Sequence, residues 1–412
     1  MKGKLLHTVL LIIIVLNIST FTVLAGEWGK DCGDFEYRIK DGYARIMNYN
    51  GNDENVTIPN EVDGYKVIGI GRFGKNKKTL KTLNISEGIE NIEDYAFSWS
   101  SIESVVIPNT VTRIEENAFE HCDSLTEITI PESVTTIGDE AFRECENLTT
   151  ANIMGSTVGA TMFSGCTKLK TVNLGENVRT IGEMAFIGCQ GMTDITIPEN
   201  VTTIEKGAFR ATGLKSVIIP ESITDLKYNV FEYCSDLEKV IFKNPNTRFM
   251  EIAGPREHVM DDQKNPTFKF CDKLSDFYAF KGSQAQEYSL NNNLEFTPIA
   301  RVEVNGETVK TDVPPVIKNN RVLIPMRAIF EALGAEIDWN GETRTVVANT
   351  ASNSIMMQIN NAAITVNGEV KGLDVAPEIL MNRALVPARA VSESLGAKVS
   401  WDEERQTVVI SY

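Results

Sequence analysis

Leu125-Thr-Glu-Ile128-Thr-Ile130-Pro131-Glu-Ser-Val134-Thr-Thr-Ile137-Gly-Asp-Glu-Ala141-Phe142-Arg-Glu-Cys145-Glu-Asn-Leu148 is one turn of a repeat. Its aromatic residue belongs to the series Phe97, Phe119, Phe142, Phe163, Phe186, Phe209 and Phe231, spaced by 22, 23, 21, 23, 23 and 22 residues. A period this short and steady predicts a solenoid, each repeat forming one coil stacked on the next. The run Leu125-x-x-Ile128-x-Ile130 reads as a short strand that points its apolar residues inward. One coil cannot stand alone, because the burial of its few apolar side chains does not offset the backbone entropy of ordering the whole coil. Neighbours must therefore supply parallel strand pairing and cover both faces. Pro108, Pro131, Pro198 and Pro220 close the strand in four coils, where a missing N–H suits a corner better than a ladder.

The frame extends outward from this segment. Val56-x-Ile58-Pro59 opens the first coil, and residues 26–55, with Phe35-x-Tyr37 and Ala44-x-Ile46 alternating, read as an N-terminal cap. Residues 56–298 form the solenoid. The step from Cys234 to Cys271 is 37 residues instead of 23, which places an insertion at 244–266. A C-terminal cap at 275–298 follows, with a short helix from Ser283 to Asn291. This frame, Ile-Pro-x-x-Val-x-x-Ile-x-x-x-Ala-Phe-x-x-Cys-x-x-Leu, resembles the BspA-type leucine-rich repeats of bacterial surface proteins. The resemblance covers roughly residues 35–298 and weakens at Ala151 to Phe163, where Met154-Gly155 stands for Ile-Pro. It implies a secreted or surface-exposed binding protein, in some cases an adhesin, and leaves the ligand unnamed.

Residues 1–25 carry Lys2 and Lys4, an apolar run from Leu5 to Leu16, and Val23-Leu24-Ala25, the pattern of a cleaved secretory signal. Export is therefore expected, to the medium or the cell surface, with no integral membrane span in the mature chain. The formal charge is −16. Residues 301–412 contribute 11 basic and 14 acidic side chains, so most of the excess lies in the repeats. Such a surface repels nucleic acid and anionic lipid. It leaves an extracellular protein or glycan, a wall polymer among them, as the expected partner.

Six of the seven cysteines share one phase of the repeat: Cys122, Cys145, Cys166, Cys189, Cys234 and Cys271. An exported chain usually pairs its cysteines. Equivalent positions in adjacent parallel strands, however, lie about 4.8 Å apart, wider than the 3.5–4.5 Å between the Cβ atoms of a disulfide. A column of buried free thiols is expected instead. No Cys-x-x-Cys pair is present to begin a zinc cage.

From Ile299 a different repeat begins, with an offset of 62 residues. Val304-Asn305-Gly306 returns as Val366-Asn367-Gly368, Arg321 as Arg383, Pro325 as Pro387, Arg327-Ala328 as Arg389-Ala390, Leu333-Gly334-Ala335 as Leu395-Gly396-Ala397, and Trp339 as Trp401. Each unit reads as hairpin strands turned at Asn-Gly plus one helix opened after a proline. In the first unit Ala328, Ile329, Ala332 and Leu333 form the expected apolar face. Residues 299–412 are thus a small duplicated α+β module of two 62-residue units, and the fold class is mixed and β-rich: a parallel-stranded leucine-rich-repeat solenoid followed by that module.

The segment Asn320-Arg321-Val322-Leu323-Ile324-Pro325-Met326-Arg327, with its second copy at 382–389, resembles the N-terminal, stalk-like domain of copper amine oxidases. The family's copper sits in a separate catalytic domain on three imidazoles. After removal of the leader only His121 and His258 remain, too few for that site. The resemblance therefore implies a non-catalytic accessory domain, and no cofactor or metal is expected. Arg327 and Arg389 are the module's candidate contacts, either with an anionic wall polymer or, as the blander reading, with a carboxylate near their own helix. Trp339 and Trp401 are expected in its core.

No nucleophile–base pair, phosphate-binding loop or calcium loop is evident. Two readings follow. The favoured one is a secreted or surface recognition protein, not an enzyme, binding through the strand face of the solenoid, with Thr126, Glu127, Thr129, Lys215 and Ser216 as candidate ligand-facing residues. The other is a hydrolase of surface polysaccharide using paired carboxylates.

Overall fold

The computed structural model describes residues 29–73, 78–250 and 266–412. The leader, most of the insertion, and His258 with it, lie outside the described residues. Two compact units divide the chain, residues 1–177 and 178–412.

In the first unit, the strands Lys30–Cys32, Phe35–Lys40 and Tyr43–Tyr49 pair antiparallel, and the last runs parallel to Tyr65–Ile70. Pairing between later coils is parallel among the described residues, while Glu61–Val62 forms an antiparallel hairpin with the start of Tyr65–Ile70 inside the first coil. The long strands Asn55–Ile58, Thr82–Ile85 and Ser104–Val106 form one sheet; Glu127–Ile130, Thr150–Ile153 and Thr171–Leu174 form another. Ile128 faces Ala151 and Val172, while Ile130 faces Ile153 and Leu174, so the period in sequence becomes register in space. A short second strand follows in each coil, and Ile92, Ile114 and Ile137 align across three of them. Between the two strands the proline carbonyl accepts from the residue three further on, Val134 N–H to Pro131 O at 3.1 Å and Val111 to Pro108 at 3.1 Å.

The phenylalanines stack. Centroids of Phe97 and Phe119 are 5.1 Å apart, and those of Phe119 and Phe142 are 5.0 Å apart with planes 3° from parallel. In the second unit Phe186, Phe209, Phe231 and Phe268 stack at 5.6, 5.5 and 5.4 Å. Phe268 takes the place that the 37-residue interval obscures.

Two residues per coil, two before and two after this phenylalanine, take left-handed backbone. Asn117 (φ 55°) and His121 (φ 54°) flank Phe119; Glu140 (φ 60°) and Glu144 (φ 56°) flank Phe142. These positions aim successive N–H groups along the stack, as with His121 N–H to Arg143 O at 2.9 Å and Phe119 N–H to Ala141 O at 2.8 Å. The turn closes its hydrogen bonds through the next coil, so the backbone conformation is a product of stacking.

In the second unit the long strands Ser216–Ile219, Lys239–Phe242, Asp276–Ala279 and Glu295–Pro298 form a parallel sheet. The helix Gln284–Asn291 lies between the last two, its N-terminus capped by Ser283, whose side chain accepts from Gln286 N–H. The duplicated module belongs to this same unit, a division different from the sequence boundary at 299. The reason is apolar. On the outward side of the sheet, Ile241 and Tyr278 are buried together with Phe280 beneath Ile299, Val313, Val316, Leu323, Leu380 and Leu385. Polar contacts frame this patch: Arg301 bonds Glu221 at 2.9 Å, Lys243 reaches Glu199 and the Thr311 carbonyl, and Gln406 exchanges two hydrogen bonds with the Lys281 backbone.

The two 62-residue copies interlock. Arg301–Val304 of the first pairs in parallel with Thr407–Ser411 of the second, and Arg321–Pro325 pairs antiparallel with its own duplicate Arg383–Pro387. Arg321 bonds Asp374 at 2.7 Å, and Arg383 bonds Asp312. Neither copy is a closed body, as expected for a segment too short to bury a core of its own. The helices Met326–Ala332 and Ala388–Ser394 cover one shared core. The first helix buries Met326, Ile329 and Phe330 and leaves Ala332 exposed, a correction to the expected face. The core placement expected for Trp339 is also corrected: it is 39 % exposed at the rim, while Trp401 is half-buried against the core and bonds Glu403.

Candidate functional site

Side chains alternate along each strand, so every long strand turns two residues away from the phenylalanine core. In the first unit one outward row is Thr129, Asn152 and Asn173, in register. Asn152 Nδ2 donates to Glu127 Oε1 at 3.1 Å and to Thr129 Oγ1 at 3.0 Å, and Asn173 Nδ2 donates to Asn152 Oδ1 at 2.7 Å. Thr126, Glu127 and Thr129 are exposed and sit together at the head of this ladder. The row is short-chained and hydrogen-bonding, with the Glu127 carboxylate as its charge.

Lys215 and Ser216 lie in the other unit. Lys215 is exposed, its carbonyl accepting from Glu238 N–H at 2.8 Å, and Ser216 is half-buried. The next outward residue on that strand, Ile218, already packs against the patch under the module. The candidates therefore divide into two groups, three residues in the first unit and two in the second.

Arg327 and Arg389 occupy equivalent, exposed helix positions. Arg389 lies 3.9 Å from Glu393 on its own helix. Arg327 has no carboxylate at ion-pair distance among the described residues. His121 stacks on Trp99, centroids 3.8 Å apart, and lies 4.0 Å from Asp123.

All seven cysteines are free, and Cys122, Cys145, Cys166, Cys189 and Cys234 are buried. Their column does more than fill space. Cys122 Sγ donates to Phe97 O at 3.3 Å, Cys145 to Phe119 O at 3.2 Å, Cys166 to Phe142 O at 3.2 Å and Cys234 to Phe209 O at 3.0 Å. Each thiol thus caps the phenylalanine carbonyl of the preceding coil. Ser100 and Thr212, the non-cysteine members of the column, carry hydroxyls: Ser100 Oγ lies 3.3 Å from Cys122 Sγ, and Thr212 donates to Phe209 O of its own coil at 2.9 Å. Burial pushes the Cys122 and Cys145 thiols well above their ordinary range, and Cys234 upward too. They remain protonated at neutral pH and are not nucleophiles.

Among carboxylates, burial raises Glu115, assisted by Asp94 and Glu93 and opposed by Arg113. Among the described residues no cluster of three or more His, Cys, Asp or Glu side chains is arranged to hold a metal ion. None of their helices is long and apolar enough to cross a membrane.

The BspA type leucine rich repeat region matches in six copies over residues 46–158 and 155–253, half of the chain. The chain belongs to the BspA-type leucine-rich repeat family. The copper amine oxidase N-terminal domain matches residues 303–410. Among solved structures, this BspA-type chain is similar to a leucine-rich repeat protein from Bacteroides ovatus, with 25 % identity and a TM-score of 0.43 over 60 % of this chain and 70 % of that one. It is also similar to a leucine rich cell surface protein from Faecalibacterium prausnitzii, with 21 % identity and a TM-score of 0.36 over 66 % and 94 %. A curated relative named protease inhibitor, from Brevibacillus choshinensis, is 28 % identical over 108 residues. The chain spans about a third of that relative's length, since 33 % of it is matched.

The sequence reading missed the second left-handed position of each coil, which carries exposed aromatic rings at Trp99, Tyr233 and Phe270. The signal was available: each lies two residues beyond a ladder phenylalanine, where neighbouring coils place Gly165 and Gly188.

Proposed function

We propose that this BspA-type chain is an exported recognition protein, not an enzyme, that binds an extracellular protein or glycan through the exposed strand face of its first unit. One observation carries the reading. Outward strand positions are apolar where the chain's own module covers them, at Ile218, Ile241 and Tyr278, whereas Thr129, Asn152 and Asn173 form a polar row where they meet solvent, with the exposed Val106 of the strand Ser104–Val106 an apolar exception. A row rich in donors and acceptors, with Glu127 beside it, suits reversible contact with a polar partner. Thr126, Glu127 and Thr129 form the centre of the proposed surface, and Lys215 and Ser216 a second, smaller contact. The domain limits 56–298 and 299–412 are part of this proposal, with the module as an accessory domain at the envelope. Arg327, exposed and unpaired with any carboxylate among the described residues, is its candidate contact with an anionic wall polymer.

The test uses immobilised matrix proteins and wall polysaccharides, with turnover of the same glycans assayed in parallel. The triple variant Thr129→Arg, Asn152→Arg, Asn173→Arg is expected to lose binding while unfolding like the parent. Turnover abolished by a single carboxylate substitution, Glu115→Gln first, would instead establish the hydrolase reading.

A further inference from the structure

Tyr233 and Phe270 hold the same phase of consecutive coils in the second unit, with φ of 63° and 61°. A side chain with a Cβ is disfavoured in that conformation, and a bulky aromatic most of all. Other coils place Gly165 (φ 75°), Gly188 (φ 77°), Ala211 (φ 55°), Glu144 (φ 56°) or the stacked pair Trp99 and His121 (φ 61° and 54°) here. The backbone requirement is common to all of them, since Ala211 N–H donates to Glu232 O and Tyr233 N–H to Lys269 O, both at 2.8 Å. The aromatic rings therefore add strain without being needed by the turn. Nor does burial compensate, because each ring is 45 % exposed. Strain retained at exposed, interacting side chains is the pattern of a ligand contact.

The surroundings define the chemistry. The rings stack on each other, centroids 4.5 Å apart. The Arg210 guanidinium lies 5.2 Å from the Tyr233 centroid, and Lys269 Nζ lies 5.0 Å from that of Phe270. A cation thus lies over each ring of the stack, attracted by the negative face of the aromatic quadrupole. Glu232, nearly buried, meets Arg210 Nε at 3.0 Å and fixes the guanidinium. The Nη edge of Arg210 has no acceptor, and Lys269 no carboxylate partner, among the described residues. On a chain of net charge −16, this is a local cationic shelf. Charges more than about 8 Å away are screened at physiological salt, so the general acidity does not cancel it.

We propose that Arg210, Tyr233, Lys269 and Phe270 form a binding site for a carboxylated glycan. The sugar ring lies against the exposed aromatic surface, and its carboxylate meets the Nη edge of Arg210, whose planar fork takes a carboxylate in two parallel hydrogen bonds, with Lys269 supplying the second charge. The site is separate from the strand face proposed above and stands or falls independently of it.

The experiment titrates the full chain with polygalacturonate, dextran sulfate, neutral dextran and gelatin. Its overall negative charge keeps non-specific polyanion binding low. The parent is expected to bind polygalacturonate in a salt-sensitive manner. Tyr233→Gly with Phe270→Gly, which relieves the left-handed strain and so preserves folding, is expected to weaken binding at least tenfold, and Lys269→Ala several-fold. The strand-face triple variant binds polygalacturonate like the parent. Equal binding by parent and double-glycine variant overturns the proposal, as does failure of the parent to bind polygalacturonate. Preference for dextran sulfate or neutral dextran overturns the choice of ligand. Binding to gelatin alone, lost in the double-glycine variant, assigns the shelf to polypeptide and likewise overturns it.

Discussion

A chain cut after Pro298 leaves Ile241, Tyr278 and Phe280 without the side chains that cover them. All three are at most 5 % exposed in the intact protein, and their lids, Ile299, Val313, Val316, Leu323, Leu380 and Leu385, are all removed. Full burial of such a side chain stabilises by about 1.5–3 kcal/mol. Uncovering three therefore removes up to about 9 kcal/mol, comparable with the whole stability of an ordinary domain. The loss falls on the last coils, because a solenoid's contacts are between neighbours. Urea unfolding of residues 26–298 is expected to begin at lower denaturant than in the full chain, with dye binding and self-association before the main transition. The Arg301–Glu221 pair offers a control: it is partly exposed, so Glu221→Ala, which leaves Arg301 over the Phe280 ring, costs about 1 kcal/mol or less. A truncated chain that stays monomeric, binds no dye and unfolds at the parent midpoint would refute the claim that the module is structurally part of the solenoid's end.

Three further outcomes follow from the coils. Cys145→Ala removes the donor to Phe119 O and a buried sulfur, for a loss of about 2 kcal/mol, whereas Cys145→Ser keeps a donor and costs less; denaturant midpoints with the opposite order would reduce the column to a small apolar slot. Ala211→Gly relieves a left-handed residue and raises stability by up to about 1 kcal/mol, while Gly165→Ala, at φ 75° with a new Cβ 2.6 Å from Glu144 Cδ, lowers it. The Tyr37 phenol is pushed up to about 12 by its hydrogen bond to Asp63 and by burial, above an unfolded value of about 10. Its folded pKa exceeds the unfolded one, so its stabilisation is complete below pH 10 and is lost as pH rises toward 12. Phenolate absorbance followed with unfolding across that window is expected to show a steeper loss in the parent than in Tyr37→Phe.

The repeat was legible because Phe97 to Phe231 recur at positions the core makes equivalent, and a stacked column tolerates few replacements. The thiol column was legible as free cysteines but not as carbonyl caps, since the donor role is visible only once Cys145 is seen beneath Phe119. The docked module was hidden for a different reason. Ile218, Ile241 and Tyr278 stand at outward positions of the frame, and the period alone assigns those to solvent. Phe268 was hidden by the insertion that shifts its spacing. The offset of 62 revealed a duplication but not the exchange of strands between copies, because pairing Arg301–Val304 with Thr407–Ser411 is a long-range choice no local pattern encodes. Arg327 and Arg389 looked equivalent in sequence, each with a glutamate four residues on, Glu331 and Glu393, and only the side-chain arrangement that brings Glu393 to 3.9 Å from Arg389 separates them.

The first and last strands of the module lie side by side and point the same way. Tension between the repeats and residue 412 would draw these two strands past each other along their length. Their hydrogen bonds would then bear the load together, with none exposed to be peeled open in turn. Under such tension residues 301–304 would act as a mechanical fuse, in which the parallel pairing is backed by the Arg405–Glu303 ion pair.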